Sequence, residues 1–221
     1  MKTHVAETAQ QAGAQAAELI ARRLSRAVDQ CGRASIAFSG GSTPGPMFDA
    51  LTTSGVPWDS VDVFQVDERI APDGDEQRNA NMLTERLLVP AQVPARRIHL
   101  MPVTAKDLRR ATATYSRSIA AVGAFDVVHL GIGDDGHTAS WPPGDPVIDS
   151  PVPVDVSAEY QGLRRMTMTP LVVNAASARL MLVTETSKSA VVRRWIDGDT
   201  SLPANRVRRT NTLIVATAGV L

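Results

Sequence analysis

The sequence predicts an α/β, Rossmann-like fold, with a mostly parallel sheet covered by helices on both faces, in a single domain over residues 1–221. Three observations carry this reading. Short apolar runs alternate along the chain with segments of helical periodicity, the order that builds parallel sheets through crossover helices. The clearest run is apolar on both of its faces, as expected for a strand covered on both sides. Polar loops follow several of the runs, at the strand ends where open parallel sheets keep their ligands. A chain of 221 residues with 43% hydrophobic content buries one sizeable core and is short for two.

Residues 5–30 place Val5, Ala9, Ala12, Ala16, Leu19, Leu24 and Val28 near one helical face, with Gly32 as a stop. A long opening helix is expected there, with His4 included in it. Residues 34–38 form a short strand entering SGGSTP (39–44), after which Met47, Phe48 and Leu51 carry helical spacing. Over 61–66, Val61 and Val63 share one strand face, Phe64 and Val66 the other. Helical spacing resumes over 79–89 and Pro90 ends it. Thr104 with Asp107 resembles a capping box with Asp in place of Glu, ahead of an apolar stripe of Leu108, Ala111, Tyr115, Ile119 and Val122. Strands are expected over 125–130, 165–169, 178–183 and 212–216, a helix over 187–196, and an ordered proline-rich loop over 141–153.

Twenty-three basic residues balance 23 acidic ones, so no global field draws the chain to nucleic acid or a membrane, and neither is expected as a partner. Any anion site must be local. Cys31 is the only cysteine, which excludes an internal disulfide and a cysteine-only metal site and fits a cytoplasmic location. Residues 1–20 lack the apolar stretch of a signal peptide, and no later run approaches the about 20 apolar residues of a bilayer span.

Three segments carry chemistry. In SGGSTP, Gly40 and Gly41 let backbone amides approach an anion, and Ser42 and Thr43 add hydroxyls at a helix N-terminus with Pro44 near its first position. That suits a phosphate monoester, although alone the segment also reads as a tight turn. A nucleophile elbow is excluded, because G-x-S-x-G needs glycine where Pro44 stands. Asp67-Glu68-Arg69, expected as a loop after a buried strand, sets two carboxylates beside a guanidinium; alone it also fits a solvated charge cluster. Asn79 and Asn81 follow, as helix caps or contacts to a sugar hydroxyl. Asp134-Asp135-Gly136-His137 brings an imidazole within two residues of a carboxylate, the pairing of a general base. His4, His99 and His129 read as structural, and no carboxylate or histidine pair has the spacing of a metal-ligand motif, so no metal is expected.

SGGSTP, then DER, then LGIGDDGHTAS (130–140) in this order resemble the glucosamine-6-phosphate isomerase/6-phosphogluconolactonase family, on its lactonase side. Arg165-Met166-Thr167-Met168 is similar to the family's R-x-T strand, and Ser187-Lys188-Ser189 to its lysine-bearing helix start. The resemblance implies hydrolysis of a phosphorylated sugar lactone, without a cofactor. By it, His137 activates the attacking water, Asp135 supports the imidazole, and Arg69 meets oxyanion charge or phosphate. Asp67 stands near the reacting ring, Asn81 is among the binding residues, and Ser42, Thr43, Arg165 and Lys188 hold the phosphate with the amides of Gly40 and Gly41. Some positions depart from the family pattern: Trp141-Pro142 replaces a Leu-Phe pair, which is expected to alter the pocket wall, Ala80 replaces a serine, Glu185 stands where glycine commonly precedes the lysine, and Asp-x-x-Ala is absent near the C-terminus. Two alternatives stand beside the lactonase. An isomerase or deaminase of the glucosamine-6-phosphate type would need a further acidic residue after the histidine, and residues 138–143 contain none. A sugar-phosphate sensor would need an output module, for which the roughly 30 residues before the first expected strand are too few.

Overall fold

The computed structural model of the chain describes residues 1–221. In chain order its strands and helices are β1 (Lys2–Ala6), α1 (Ala9–Cys31), β2 (Ala34–Phe38), α2 (Gly45–Thr52), β3 (Val61–Gln65), β4 (Asp67–Arg69), α3 (Asn79–Leu83), β5 (Ile98–His99), α4 (Leu108–Val122), β6 (Val127–Leu130), β7 (Val154–Val156), β8 (Arg165–Met168), α5 (Pro170–Ala175), β9 (Arg179–Val183), α6 (Ser189–Asp197) and β10 (Thr212–Thr217). Seven strands form one sheet in the order β1-β10-β9-β6-β2-β3-β5, every pairing parallel. A three-stranded antiparallel sheet, β4-β8-β7, stands beside it.

Both faces of the large sheet are buried, and the strand period shows it. Ile36, Phe38, Val63, Leu180 and Leu182 point into one core with Ile20 and Leu24 of α1 and Met47 and Phe48 of α2. Their neighbours Ala37, Phe64, Met181 and Val183 point into the other, against Tyr115 and Ile119 of α4 and Val192 and Trp195 of α6. The α/β, Rossmann-like expectation therefore holds, with helices on both faces.

Several boundaries differ from expectation. Residues 2–6 are not the start of the opening helix but the edge strand β1, which carries His4. The helix begins at Ala9 because Thr8 is extended and its side chain accepts the Gln11 N–H, and Gly32, at φ 71°, closes it in the left-handed conformation. The cap of α4 is Asp107 itself, accepting from Arg110 N–H, and not Thr104. The helix from Asn79 widens into a π turn over Thr84–Leu88. Residues 165–168 pair outside the parallel sheet, in the antiparallel one.

The chain leaves β2 in one direction, to β3 and β5, and later returns to the other side of β2 to build β6, β9 and β10. The order thus reverses between β2 and β6, and the loops after these two strands diverge to leave a crevice.

Gly13 lies where α1 meets α2. A Cβ there would stand 2.7 Å from Pro46 Cβ and 2.8 Å from Met47 N. Alanine ordinarily favours a helix interior over glycine by about 0.5–1 kcal/mol, but overpacking against a fixed backbone costs about 1–3 kcal/mol. Gly13→Ala is expected to lower stability in urea unfolding; a raised midpoint would show that the two helices separate easily.

Candidate active site

At the reversal of strand order lies a cleft of about 390 Å³. Its first wall is the loop after β2. Gly41 has φ 98°, a left-handed conformation suited to glycine. Gly40 is glycine for space, since a Cβ would fall 2.0 Å from Asn79 Oδ1. Pro44 is the N-cap of α2 and Pro46 occupies its first turn. Ser42 and Thr43 line the cleft.

The second wall corrects the sequence reading. Asp67-Glu68-Arg69 is not a loop but β4, paired Asp67↔Thr167, Glu68↔Met166 and Arg69↔Arg165 with β8. Strand alternation sends Asp67 and Arg69 into the cleft and Glu68 away from it. The Glu68 carboxylate, with 0% exposure, accepts from the backbone N–H groups of Arg69, Asn79 and Ala80 at 2.7–2.9 Å and from Gln65 Nε2 at 2.9 Å. Arg78 Nε completes it at 3.1 Å. Asp67 is buried and accepts from Ser140 Oγ at 2.6 Å, while its carbonyl accepts from Asn79 Nδ2. Asn79 also accepts from the Arg69 guanidinium. Asn81 is absent from this cleft: its amide donates to Asp75 O, and it lines an adjoining depression that shares Arg69 and Arg165 with the cleft. Asn79 takes the place in the cleft that Asn81 was expected to take.

The loop after β6 forms the third wall. Asp135 Oδ1 accepts the His137 N–H at 3.1 Å and stands 2.6 Å from His137 Nδ1. Gly133 lies under the ring, where a Cβ would be 2.0 Å from Cε1. Asp135 Oδ2 accepts from the Tyr160 hydroxyl at 2.7 Å. Burial opposes the Asp135 charge, but the bonds from Tyr160 and from the backbone and ring of His137 outweigh it and hold the carboxyl below its ordinary range. Burial and the adjacent Asp135 push the Tyr160 hydroxyl up to about 12, so it remains a donor. An ionised carboxylate only accepts, so the neutral imidazole carries its proton on Nδ1 and leaves Nε2 basic. His129, behind this wall, is fully buried, and burial lowers its pKa to about 3, so it stays neutral.

The closing wall is cationic. The register sets Arg69 directly opposite Arg165, and neither forms an ion pair with a carboxylate. Arg165 is buried, with its guanidinium 5.0 Å from the Tyr160 ring centroid and an NH2 donating to Gln161 Oε1 at 3.1 Å. Burial first, and then Arg69, lower its pKa, though a guanidinium keeps its proton. Lys188 enters from the start of α6 and pairs with Glu185 at 3.0 Å. No three His, Cys, Asp or Glu side chains stand together as a metal cluster would require.

Tyr160 and Gln161 escaped the sequence reading because residues 157–164 carry no periodicity or motif; they reach the cleft only through the β7–β8 connection and its Tyr160–Leu163 bridge. Trp141, expected in the pocket wall, is instead fully buried in the core, its indole donating to Met168 O at 2.8 Å.

Fold and cleft define a class: an α/β enzyme with an imidazole–carboxylate pair and a cationic wall at the switch point of its sheet. The chain belongs to the family described as glucosamine-6-phosphate isomerases/6-phosphogluconolactonase, whose pattern matches residues 7–215. It is 33% identical over 177 residues to the 6-phosphogluconolactonase of Synechocystis sp., covering 76% of this chain and 74% of that one. The solved 6-phosphogluconolactonase of Trypanosoma brucei superposes with a TM-score of 0.84 at 25% identity, over 99% of this chain and 97% of that one. A monomeric glucosamine-6-phosphate deaminase superposes with a TM-score of 0.88 at 17% identity, over 100% and 98%. Both chemistries thus share the fold, and the cleft residues must separate them.

Glu68 ties that cleft together, and Glu68→Ala is expected to cost about 1–3 kcal/mol or more, since it leaves the buried N–H groups of Asn79 and Ala80 without an acceptor, although Arg78 keeps Asp73 as a partner. Glu68→Gln, which keeps part of the hydrogen bonding, should cost less. Chemical unfolding of both variants checks the order; equal, small losses would show that water replaces the carboxylate.

Proposed function

We propose that this chain hydrolyses 6-phospho-D-glucono-1,5-lactone to 6-phosphogluconate, the lactonase step of the oxidative pentose phosphate pathway. The observation that carries the reading is the His137–Asp135 pair facing the unpaired Arg69 and Arg165 across one cleft. His137 Nε2 takes a proton from water as the oxygen attacks C1. The tetrahedral oxyanion is met by a guanidinium, Arg69 being the nearer in kind to that role. The C1–O5 bond then breaks, the ring oxygen receives the proton from the imidazolium, and the new carboxylic acid ionises by releasing its remaining proton to solvent. Asp135 and Tyr160 hold the ring in its basic tautomer. Asp67, fixed by Ser140, lies beside the sugar ring. Ser42, Thr43, Arg165 and Lys188, with the amides of Gly40 and Gly41, receive the phosphate. The mechanism uses no cofactor or metal, and no nucleic acid or membrane takes part; no helix is long and apolar enough to cross a membrane. A cytoplasmic location is part of the proposal, supported by the free Cys31.

The isomerase or deaminase reading is not favoured. Residues 138–143 supply no acidic group after the histidine, and Tyr160 rather than a second acid meets the Asp135–His137 pair.

Proton release on adding freshly made 6-phosphogluconolactone, corrected for spontaneous hydrolysis, tests the activity, with ammonia release from glucosamine 6-phosphate as the contrary result. His137→Asn should lower kcat by about 10²- to 10⁴-fold. A folded variant with near-normal kcat would move the base elsewhere, Asp67 first.

The phosphate placement has its own test. Lys188→Ala should raise KM by roughly ten- to hundredfold, and unphosphorylated gluconolactone should be a poor substrate. Equal efficiency toward both lactones would remove the phosphate from this end of the cleft.

A further inference from the structure

The donors assigned above to the phosphate already hold a carboxylate of the chain itself. Glu185 Oε1 accepts from Ser42 Oγ at 3.2 Å and from Thr43 Oγ1 at 3.1 Å, and Oε2 stands 3.0 Å from Lys188 Nζ. Three donors from two separate loops thus converge on one anionic side chain, as they would on a phosphate oxygen set. The Glu185 backbone is relaxed, at φ −88° and ψ 118°, where β9 hands over to the short turn Thr186–Lys188. Its side chain is 41% exposed against 15% for Lys188, so the carboxylate can rotate into solvent while the lysine stays in place. The bond from Lys188 holds the Glu185 carboxyl below its ordinary range, which keeps it ionised near neutrality.

We propose that Glu185 is an internal anion that occupies the phosphate cradle, must be displaced by the substrate and so sets the affinity of that end of the cleft. This rests on the phosphate placement proposed above. A phosphomonoester brings up to two charges and three acceptor oxygens, and outcompetes a single carboxylate for the same donors. A monoanion or a neutral sugar hydroxyl offers no more than Glu185 already supplies. Glu185 therefore weakens every anion at this end by a common factor, the cost of its own displacement, and leaves their order of affinity to the charge and acceptors each one brings. Glu185 and a bound phosphate cannot both remain, because their charges would stand against each other on the same hydroxyls.

Titration calorimetry with inorganic phosphate and with acetate tests this on the wild-type chain, Glu185→Ala and Glu185→Gln. Glu185→Ala should bind phosphate up to about tenfold more tightly and acetate by no more than that same factor, since one displacement cost is removed for both and a half-exposed ion pair is worth about that at most. Glu185→Gln keeps an acceptor for Ser42 and Thr43 without the charge and should recover most of the gain. With the lactone as substrate, the gain should appear in KM. Phosphate binding that is unchanged or weaker in Glu185→Ala would overturn the inference. If Lys188→Ala weakens phosphate binding while Glu185→Ala fails to strengthen it, the inference alone falls. If Lys188→Ala also leaves phosphate binding unchanged, the phosphate placement falls and takes this inference with it.

Discussion

The carboxylate of Glu68 is out of water, and everything on the β4 side of the cleft is referred to it. It accepts the N–H groups of Asn79 and Ala80 at the start of α3, the N–H of its neighbour Arg69 and the amide of Gln65, and it faces the Arg78 guanidinium. A buried ion is tolerable only with such a complete set of partners. The consequence is geometric. With Glu68 fixed, Asp67 and Arg69 on either side of it are turned toward the cleft, and Asn79 is held against Gly40, leaving no room for a side chain there. The same bonds anchor the beginning of a short helix that has no side-chain cap of its own.

The sheet supplies the other half of the arrangement. Neighbouring strands lie about 4.8 Å apart, and β2 and β6 are neighbours, with Phe38 beside His129. The loop that carries Ser42 and Thr43 and the loop that carries His137 therefore start side by side, then diverge because their chains continue to opposite sides of the sheet. Both loops line the same cleft of about 390 Å³. Burial of β2 on both faces, from Ala34 to Phe38, is what makes this base rigid.

Much of this was readable in the sequence, where local rules act alone. The alternating faces of 61–66, the stripe of 108–122 and the glycine-bearing loops after 38 and 130 depend on residues close in the chain. What was missed depends on distant partners. Residues 2–6 form a strand because β10 offers Lys2 to Ala6 an edge to pair with, and their Val5 fitted a helical stripe equally well. DER is a strand because β8, nearly 100 residues later, returns to it; a three-residue strand leaves no periodicity to detect. Tyr160 has no motif around it, so only the fold reveals that its hydroxyl meets Asp135. Glu185 was visible as a departure from the family pattern, but its contact with Ser42 and Thr43, more than 140 residues away, was not.

A chain with no net charge builds its anion site by refusing to pair charges locally. Like charges directly opposite in an antiparallel pair are unfavourable, yet Arg69 and Arg165 face each other across β4 and β8. The repulsion is carried by the fold, through the β4–β8 pairing and the bonds that fix Glu68 between Asp67 and Arg69. On the proposed placement that repulsion is relieved from both sides, by oxyanion charge at Arg69 and by phosphate at Arg165. Lys188 is treated differently, its charge already met by Glu185. The unpaired arginines favour negative charge over a neutral ligand, whereas the paired lysine is open only to an anion that displaces Glu185. On the proposed placement, attraction at the arginines and competition at the lysine are separate devices, and a substrate that carries a phosphate and develops an oxyanion is the kind that uses both.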